Sequence, residues 1–355
     1  LMPPLQQADP ETISDEQIRQ YWLCLKICQE MAQPKAITLI FENIVKVEQA
    51  QIAAIAQQIR EAGEETEENS KRAEELTTRI IDQHIDLSKL YYQMPQPMQE
   101  QFTNYTEAAL SLMNAFIEGI KANDDRNEED DMALELRMCN YYQTIGEFQN
   151  HLGREEESYE AYTEAQIRQM RHLAAVKRQD EEIAKNENKP GFMSQDGLIT
   201  RLTLSVTNHM LGLYYRKQGK GQHDLSILLR SNMDLAMDCF KAYPRDGRVV
   251  HFIVNAALEL GDMQHQNKGL MAECGTYEKV IRQFPALNNV RLDPQLIADL
   301  AMIHTKCGQV QCEDTIRRFG DAQRNLTTAL NLWSMLAKNT GNPEFKKNAE
   351  NVQNL

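Results

Sequence analysis

Glycine and proline are scarce in this 355-residue chain, at 16 and 11. Both cluster between apolar-periodic stretches, a punctuation that suits long helices and argues against many short strands. No Asn-Gly or Asp-Gly turn sits between two alternating β-branched runs. Asp196-Gly197 and Asp246-Gly247 both lead into helical patterns instead. No run approaches the roughly eighteen uncharged apolar residues of a membrane-spanning helix. Basic charge is in deficit, with a net charge of -14. Such a chain repels phosphate backbones, so no nucleic-acid partner is expected. The densest basic run, Arg168, Arg171, His172, Lys177 and Arg178, reads as a solvated helix face.

Close-spaced ligand and nucleophile motifs are missing too. The seven cysteines (Cys24, Cys28, Cys139, Cys239, Cys274, Cys307 and Cys312) contain no Cys-x-x-Cys pair. That excludes a zinc ribbon or a thioredoxin-type motif and leaves small core residues in a reducing compartment. The eight histidines form no His-Glu-x-x-His, and the His304/Cys307 pair reads as packing. No Gly-x-Ser-x-Gly, Walker loop or Gly-x-Gly-x-x-Gly occurs. The expectation is therefore a protein without catalytic residues, metal or cofactor.

What is present is helical periodicity in two textures. Hydrophobic residues at 42% and charged residues at 25% are globular values. The length suits two or three domains or one elongated repeat array. Residues 1–13 read as a loose leader. Ser14 caps a helix that carries Ile18, Tyr21, Trp22, Leu25, Cys28 and Met31 and stops at Pro34. A heptad seam follows through Ile52, Ile55, Ile59 and Ala62, then Ala73, Leu76, Ile80, Leu87 and Leu90, with polar steps at Thr66, Asn69 and Gln83. The favoured reading of 36–92 is one long helix; the alternative is a hairpin bending at Gly63 and Asn69-Ser70. Met98, Phe102, Tyr105, Ala109, Leu112, Phe116 and Ile120 predict a further helix running antiparallel to it. Residues 14–122 thus form a helical bundle or coiled-coil hairpin, a seam compatible with homo-oligomerisation. Residues 123–131 are an acidic linker, which lacks the glycine and alternating ligands of a calcium loop.

From residue 132 the helices shorten and pair. Tyr142, Ile145-Gly146, Gly153, Ser158, Tyr162 and Ala165 place small residues where two helices approach and large ones between them. This segment resembles a tetratricopeptide repeat. Echoes follow at Leu211-Gly212 with Tyr215, Gly219, Ala236, Phe240 and Pro244. Leu260-Gly261 with Tyr277 and Ile281 forms a third, and Cys307-Gly308 with Ala322, Leu326 and Ala329 a fourth. The glycines lie about 66, 49 and 47 residues apart, longer than the family's period of about 34. The helix after Gly153 continues to about Ala184, and 185–197 reads as a long surface loop. The expected fold is all-α: the N-terminal long-helix bundle, then an α-α superhelix of tetratricopeptide-like hairpins over 132–343, then a tail at 344–355.

The resemblance implies that the first helix of each pair lines a concave groove. Its groove-facing positions are Asn140, Gln143, Glu147 and Asn150 in the first unit. Next come His209 and Arg216, then Asn255, Asp262 and His265, then Thr305 and Gln309. Amides there can grip an extended backbone as both donor and acceptor. The expected function is a non-enzymatic scaffold that binds a partner peptide or helix. The architecture is also similar to that of bacterial peptide-sensing response-regulator inhibitors, the second reading. A helical pore-forming toxin is the third and ranks lowest, because no concealed apolar hairpin is visible. A cytoplasmic location is expected; export after removal of a targeting segment is the alternative.

Overall fold

The computed structural model describes residues 34–62, 67–92, 99–122, 132–219, 221–283 and 294–355. Among these, twelve helices and no strands occur. The expected leader, the helix from Ser14 and the acidic linker lie outside the described residues. The chain divides into two compact units, residues 1–126 and 127–355.

The first unit contains α1 (Pro34–Ala62), α2 (Glu67–Tyr92) and α3 (Gln99–Ala122). The favoured single helix over 36–92 is corrected here. Thr38 hydrogen-bonds Tyr91, and Gln83 Nε2 donates to Glu48 Oε2 at 2.7 Å. In one straight helix residues 38 and 91 would lie about 80 Å apart. The chain has reversed, as the hairpin alternative required, although Asn69-Ser70 lie within α2 and not at the bend, and α3 reverses again, with Tyr91 stacked on Tyr105 at 5.5 Å. Of the polar steps in the seam, Gln83 is matched across helices, and another polar pair lies farther along α2; Thr66 lies outside the described residues. Gln83 meets Glu48, and Ser88 meets Thr106 at 2.5 Å, all buried. Paired polar groups at seam positions fix register at some expense of stability. Around them pack Ile37, Phe41, Ile44, Leu76, Ile80, Met113 and Ile117.

The second unit stacks four hairpins: α4 (Met132–His151) with α5 (Glu155–Asn186), and α6 (Gln195–Gln218) with α7 (Gln222–Ala242). Next come α8 (Gly247–Gln266) with α9 (Leu270–Ile281), then α10 (Pro294–Cys312) with α11 (Phe319–Thr340). The glycines of the sequence pattern sit at the crossings. A Cβ on Gly146 would lie 2.9 Å from the Tyr162 ring, and one on Gly308 would lie 2.7 Å from Leu326. One on Gly261 would run into the Tyr277 ring and hydroxyl. Gly146–Tyr162 and Gly261–Tyr277 share the same offset of sixteen residues, so two hairpins use one packing rule. This is a tetratricopeptide-like helical-hairpin solenoid. Its main core joins α5 through α10, with Leu229, Ile253, Val254, Tyr277 and Ile303 all but fully buried.

Three expectations are revised in this unit. The 185–197 loop is shorter: α5 runs to Asn186, and Ser194 caps α6 by accepting from Gly197 N at 3.0 Å. The intervening residues are tied down, since Tyr243 Oη donates to the Met193 carbonyl at 2.5 Å and Ser194 N to Asp180 Oδ1 at 3.0 Å. The expected tail is a helix, α12 (Pro343–Gln353), opened by an Asn342 cap with proline in its first turn. Phe345, Ala349 and Val352 share one face of α12 and pack against Trp333 and Leu336. The basic run is only partly solvated. Arg168 and His172 are buried, while Arg171 and Arg178 are exposed. Arg168 clamps α5 to α4, bonding Glu135 at 2.9 Å and Glu164 at 2.8 Å and lying 5.5 Å from the Tyr142 ring centroid.

Candidate functional site

The first helices of the last three hairpins are tied to one another by polar bridges along the face where the predicted groove positions fall. His209 on α6 meets Glu259 on α8 at 2.5 Å. His251 on α8 meets Asp299 on α10 at 2.5 Å, and Lys306 on α10 meets Asp262 on α8 at 3.3 Å. A carboxylate only accepts, so His251 Nδ1 donates to Asp299. Its Nε2 then accepts from Asn255 Nδ2 at 2.8 Å. Gln295 completes this chain by donating to the other Asp299 oxygen at 3.0 Å.

The predicted groove residues fall into four groups. Asp262, His265 and Gln309 converge on one cavity of about 680 Å³ at the ends of α8 and α10. Several of the others are engaged with neighbouring helices. Gln143 accepts from Gln169 Nε2 at 3.1 Å, and His209 and Asn255 belong to the bridges just described. Thr305 Oγ1 accepts from Trp333 Nε1 at 3.3 Å, and the charge of half-buried Glu147 helps hold up the Tyr162 hydroxyl pKa. Asn140 and Arg216 are exposed on their helices. Asn150 borders a separate small cavity beside Tyr159 and Tyr214, whose rings stack at 4.3 Å.

The α8/α10 cavity is acidic. Asp262, Glu273, Glu313 and Asp314 line it against a single lysine, Lys306. His265 Nδ1 holds Glu273 Oε2 at 2.9 Å. Burial pushes the Glu273 carboxyl above its ordinary value, and His265 draws it back. His209 shifts upward because Glu259 accepts its proton's hydrogen bond, an effect that outweighs burial.

The sequence reading missed Lys306, Glu313 and Asp314, although Glu313-Asp314 directly follows α10 as an acidic pair. It also missed an apolar groove of about 500 Å³ over α5, α6 and α7, with Met170 and Ile227 exposed at its rim. A third feature sits between α9 and α10, where Cys274, Glu278 and Cys307 bring ligand atoms within 4.8 Å of one another. The cysteines lie on different helices, so no local spacing announces them.

No family model matches the sequence, and no curated protein matches it. Among solved structures, the chain is similar to the S. pombe nuclear import adaptor Nro1, at 12% identity and a TM-score of 0.46, covering 94% of this chain and 98% of that one. It is also similar to BtubC from P. vanneervenii, at 12% identity and TM-score 0.42, covering 81% and 92%. A third similarity is to the TPR2AB domain of yeast Sti1 in its pHSP90 complex, at 12% identity and TM-score 0.26, covering 86% and 98%. No helix among the described residues is long and apolar enough to cross a membrane.

Proposed function

We propose that this chain is a protein-interaction scaffold, not an enzyme, and that the first-helix face of its solenoid receives a segment of a partner protein. The observation that carries this reading is the α8/α10 cavity. Three groove positions named from the repeat pattern, Asp262, His265 and Gln309, meet there in a concave, polar space. Gln309 is exposed and offers a donor and an acceptor to a partner backbone. The surplus of carboxylates over Lys306 favours a segment carrying lysine or arginine. The histidines of this face are used to tie helices together, which suits a rigid platform. Neither the peptide-responsive regulator nor the pore-forming reading gains an observation that favours it.

Selection from a displayed random-peptide library on the full chain tests the proposal. Enriched peptides should carry a basic residue and lose binding on Asp262→Ala with Gln309→Ala. Peptides that bind the double variant as well as the parent would remove the cavity from the function.

A further inference from the structure

Cys274 and Glu278 lie one turn apart on α9, and Cys307 faces them from α10. Both cysteines are buried, at 3% and 0% exposure, whereas the Glu278 side chain reaches the surface. Their ligand atoms all lie within 4.8 Å of one another, and Cys274 Sγ is 3.5 Å from Glu278 Oε1. Two thiolates around tetrahedral zinc, at about 2.3 Å from the metal, stand about 3.8 Å apart. Small side-chain rotations therefore close the cluster around one ion.

The surroundings support the ligands with N–H donors. Gln311, 1% exposed, donates to Glu278 Oε1 at 2.9 Å. Asn325 donates to Gln311 at 2.9 Å and to Cys307 Sγ at 3.5 Å, and its oxygen meets His304 Nδ1 at 2.9 Å. Outer groups of this kind orient metal ligands. Two cations already compete for the carboxylate: Arg282 bonds Glu278 Oε2 at 3.3 Å from an exposed position, and Arg318 bonds Glu278 Oε1 at 2.5 Å and lies 4.0 Å from Cys274 Sγ. Arg318 has a second partner to retain, Asp321, at 2.8 Å and 2.5 Å.

We propose that Cys274, Glu278 and Cys307 form a binding site for a thiophilic divalent cation of the zinc type, with Arg318 as its gate. The donor set selects the metal class, since two sulfurs and a carboxylate suit Zn²⁺ over Mg²⁺ or Ca²⁺. On binding, both thiols give their protons to buffer, and the Arg318 guanidinium stays on Asp321. The ion links α9 to α10, beside the cavity that Glu273 and Lys306 border.

The test uses the full chain under a non-thiol reductant. Zn²⁺ is titrated against a chromophoric chelator, and Co²⁺ supplies the optical probe. One equivalent of Co²⁺ should give a thiolate-to-cobalt charge-transfer band and tetrahedral d–d bands. Cys307→Ala should lose most of that intensity. Glu278→Gln should weaken Zn²⁺ by at least about tenfold. Arg318→Gln, which removes the competing cation nearest the thiols, should tighten it; a purely packing role for the cysteines predicts no such gain. Glu278 and Arg318 both reach the surface, so these two variants serve even if Cys307→Ala fails to fold. The proposal is overturned if Co²⁺ gives no thiolate band, or if binding survives Cys307→Ala unchanged and so belongs to other groups such as Cys312. A Cys274–Cys307 disulfide with no uptake by the reduced chain overturns it equally.

Discussion

The two units bury a charge in opposite ways. In the first, Glu48 is fully buried and meets a neutral amide, Gln83, with Arg79 at 3.5 Å from a half-exposed position. In the second, Arg168 is buried between two carboxylates, Glu135 and Glu164. The first charge is under-compensated, and burial raises its carboxyl pKa. The second is over-compensated, and its acidic neighbours raise the guanidinium pKa against the opposing effect of burial. Glu48 thus marks register at a place that would be more stable neutral, whereas Arg168 is a clamp whose loss strands its partners.

The sharpest way to break this contrast is to remove each charge. Arg168→Ala leaves Glu135, mostly buried on α4, without its cation. A destabilisation of about 2–3 kcal/mol is expected, somewhat below the value for a fully buried pair. Urea unfolding of the full chain measures it, with hydrogen exchange of α4 and α5 amides locating the loss. An unchanged exchange pattern would mean the clamp is ornamental.

A second pair of substitutions tests packing rather than charge. Gly261→Ala sets a methyl against the Tyr277 ring. Overpacking costs about 1–3 kcal/mol, and the gain in helix propensity returns at most about 1 kcal/mol. The added methyl would strike both the ring and the hydroxyl of Tyr277, so the cost lies at the upper end and the net effect is a loss of about 2 kcal/mol. Gly119→Ala on α3 meets nothing within 4 Å. The same change there should stabilise the first unit by about 0.5–1 kcal/mol. Equal signs at the two sites, read from exchange at α8 and α3, would refute the crossing-point role of the unit-two glycines.

Glu48→Gln separates the units by pH. Because the folded pKa is raised, the folded state holds this proton to higher pH than the unfolded chain. The first unit therefore gains stability as pH falls from neutral through the raised value towards the ordinary 4.5, and loses it as pH rises. Glu48→Gln should flatten that dependence and slow exchange of α1 and α2 amides at neutral pH. Faster exchange at pH 7 would show that the ionised carboxylate is a net stabiliser.

Legibility in the sequence follows the same division. The solenoid could be read because its rule is local: a glycine and its aromatic partner recur at one offset, as in Gly146–Tyr162 and Gly261–Tyr277. The hairpin of α1 and α2 was harder, because Gln83 in a seam looks like solvent exposure until Glu48, thirty-five residues away, is placed opposite it. The repeat pattern named candidate groove positions but not their engagement. Nothing local says that Gln143 accepts from α5 while Gln309 stays exposed. The α12 helix was hidden by its polar surface, since only Phe345, Ala349 and Val352 carry its packing. The Cys274–Glu278–Cys307 cluster needs the α9/α10 crossing to exist at all.

The smallest effect expected lies on the first-helix face and runs in the same direction as that of Glu48: both groups hold their proton more tightly in the folded state, so both contributions fall as pH rises. His209 and Glu259 are partly solvated, at 41% and 22% side-chain exposure, so their pair is worth about 0.5 kcal/mol. The folded pKa of His209 is raised above its ordinary 6.5, chiefly by the hydrogen bond to Glu259. The contribution is fully present below the unfolded value and is lost as pH rises through the folded one. What separates the two is the cause: a hydrogen bond to Glu259 holds the proton on His209, whereas burial holds it on Glu48. Urea midpoints at about pH 6 and pH 8.5 should differ more for the parent than for His209→Gln. If both chains shift equally, α6 and α8 are held by their apolar faces alone, and the ion pairs along this surface are free to rearrange around a bound segment.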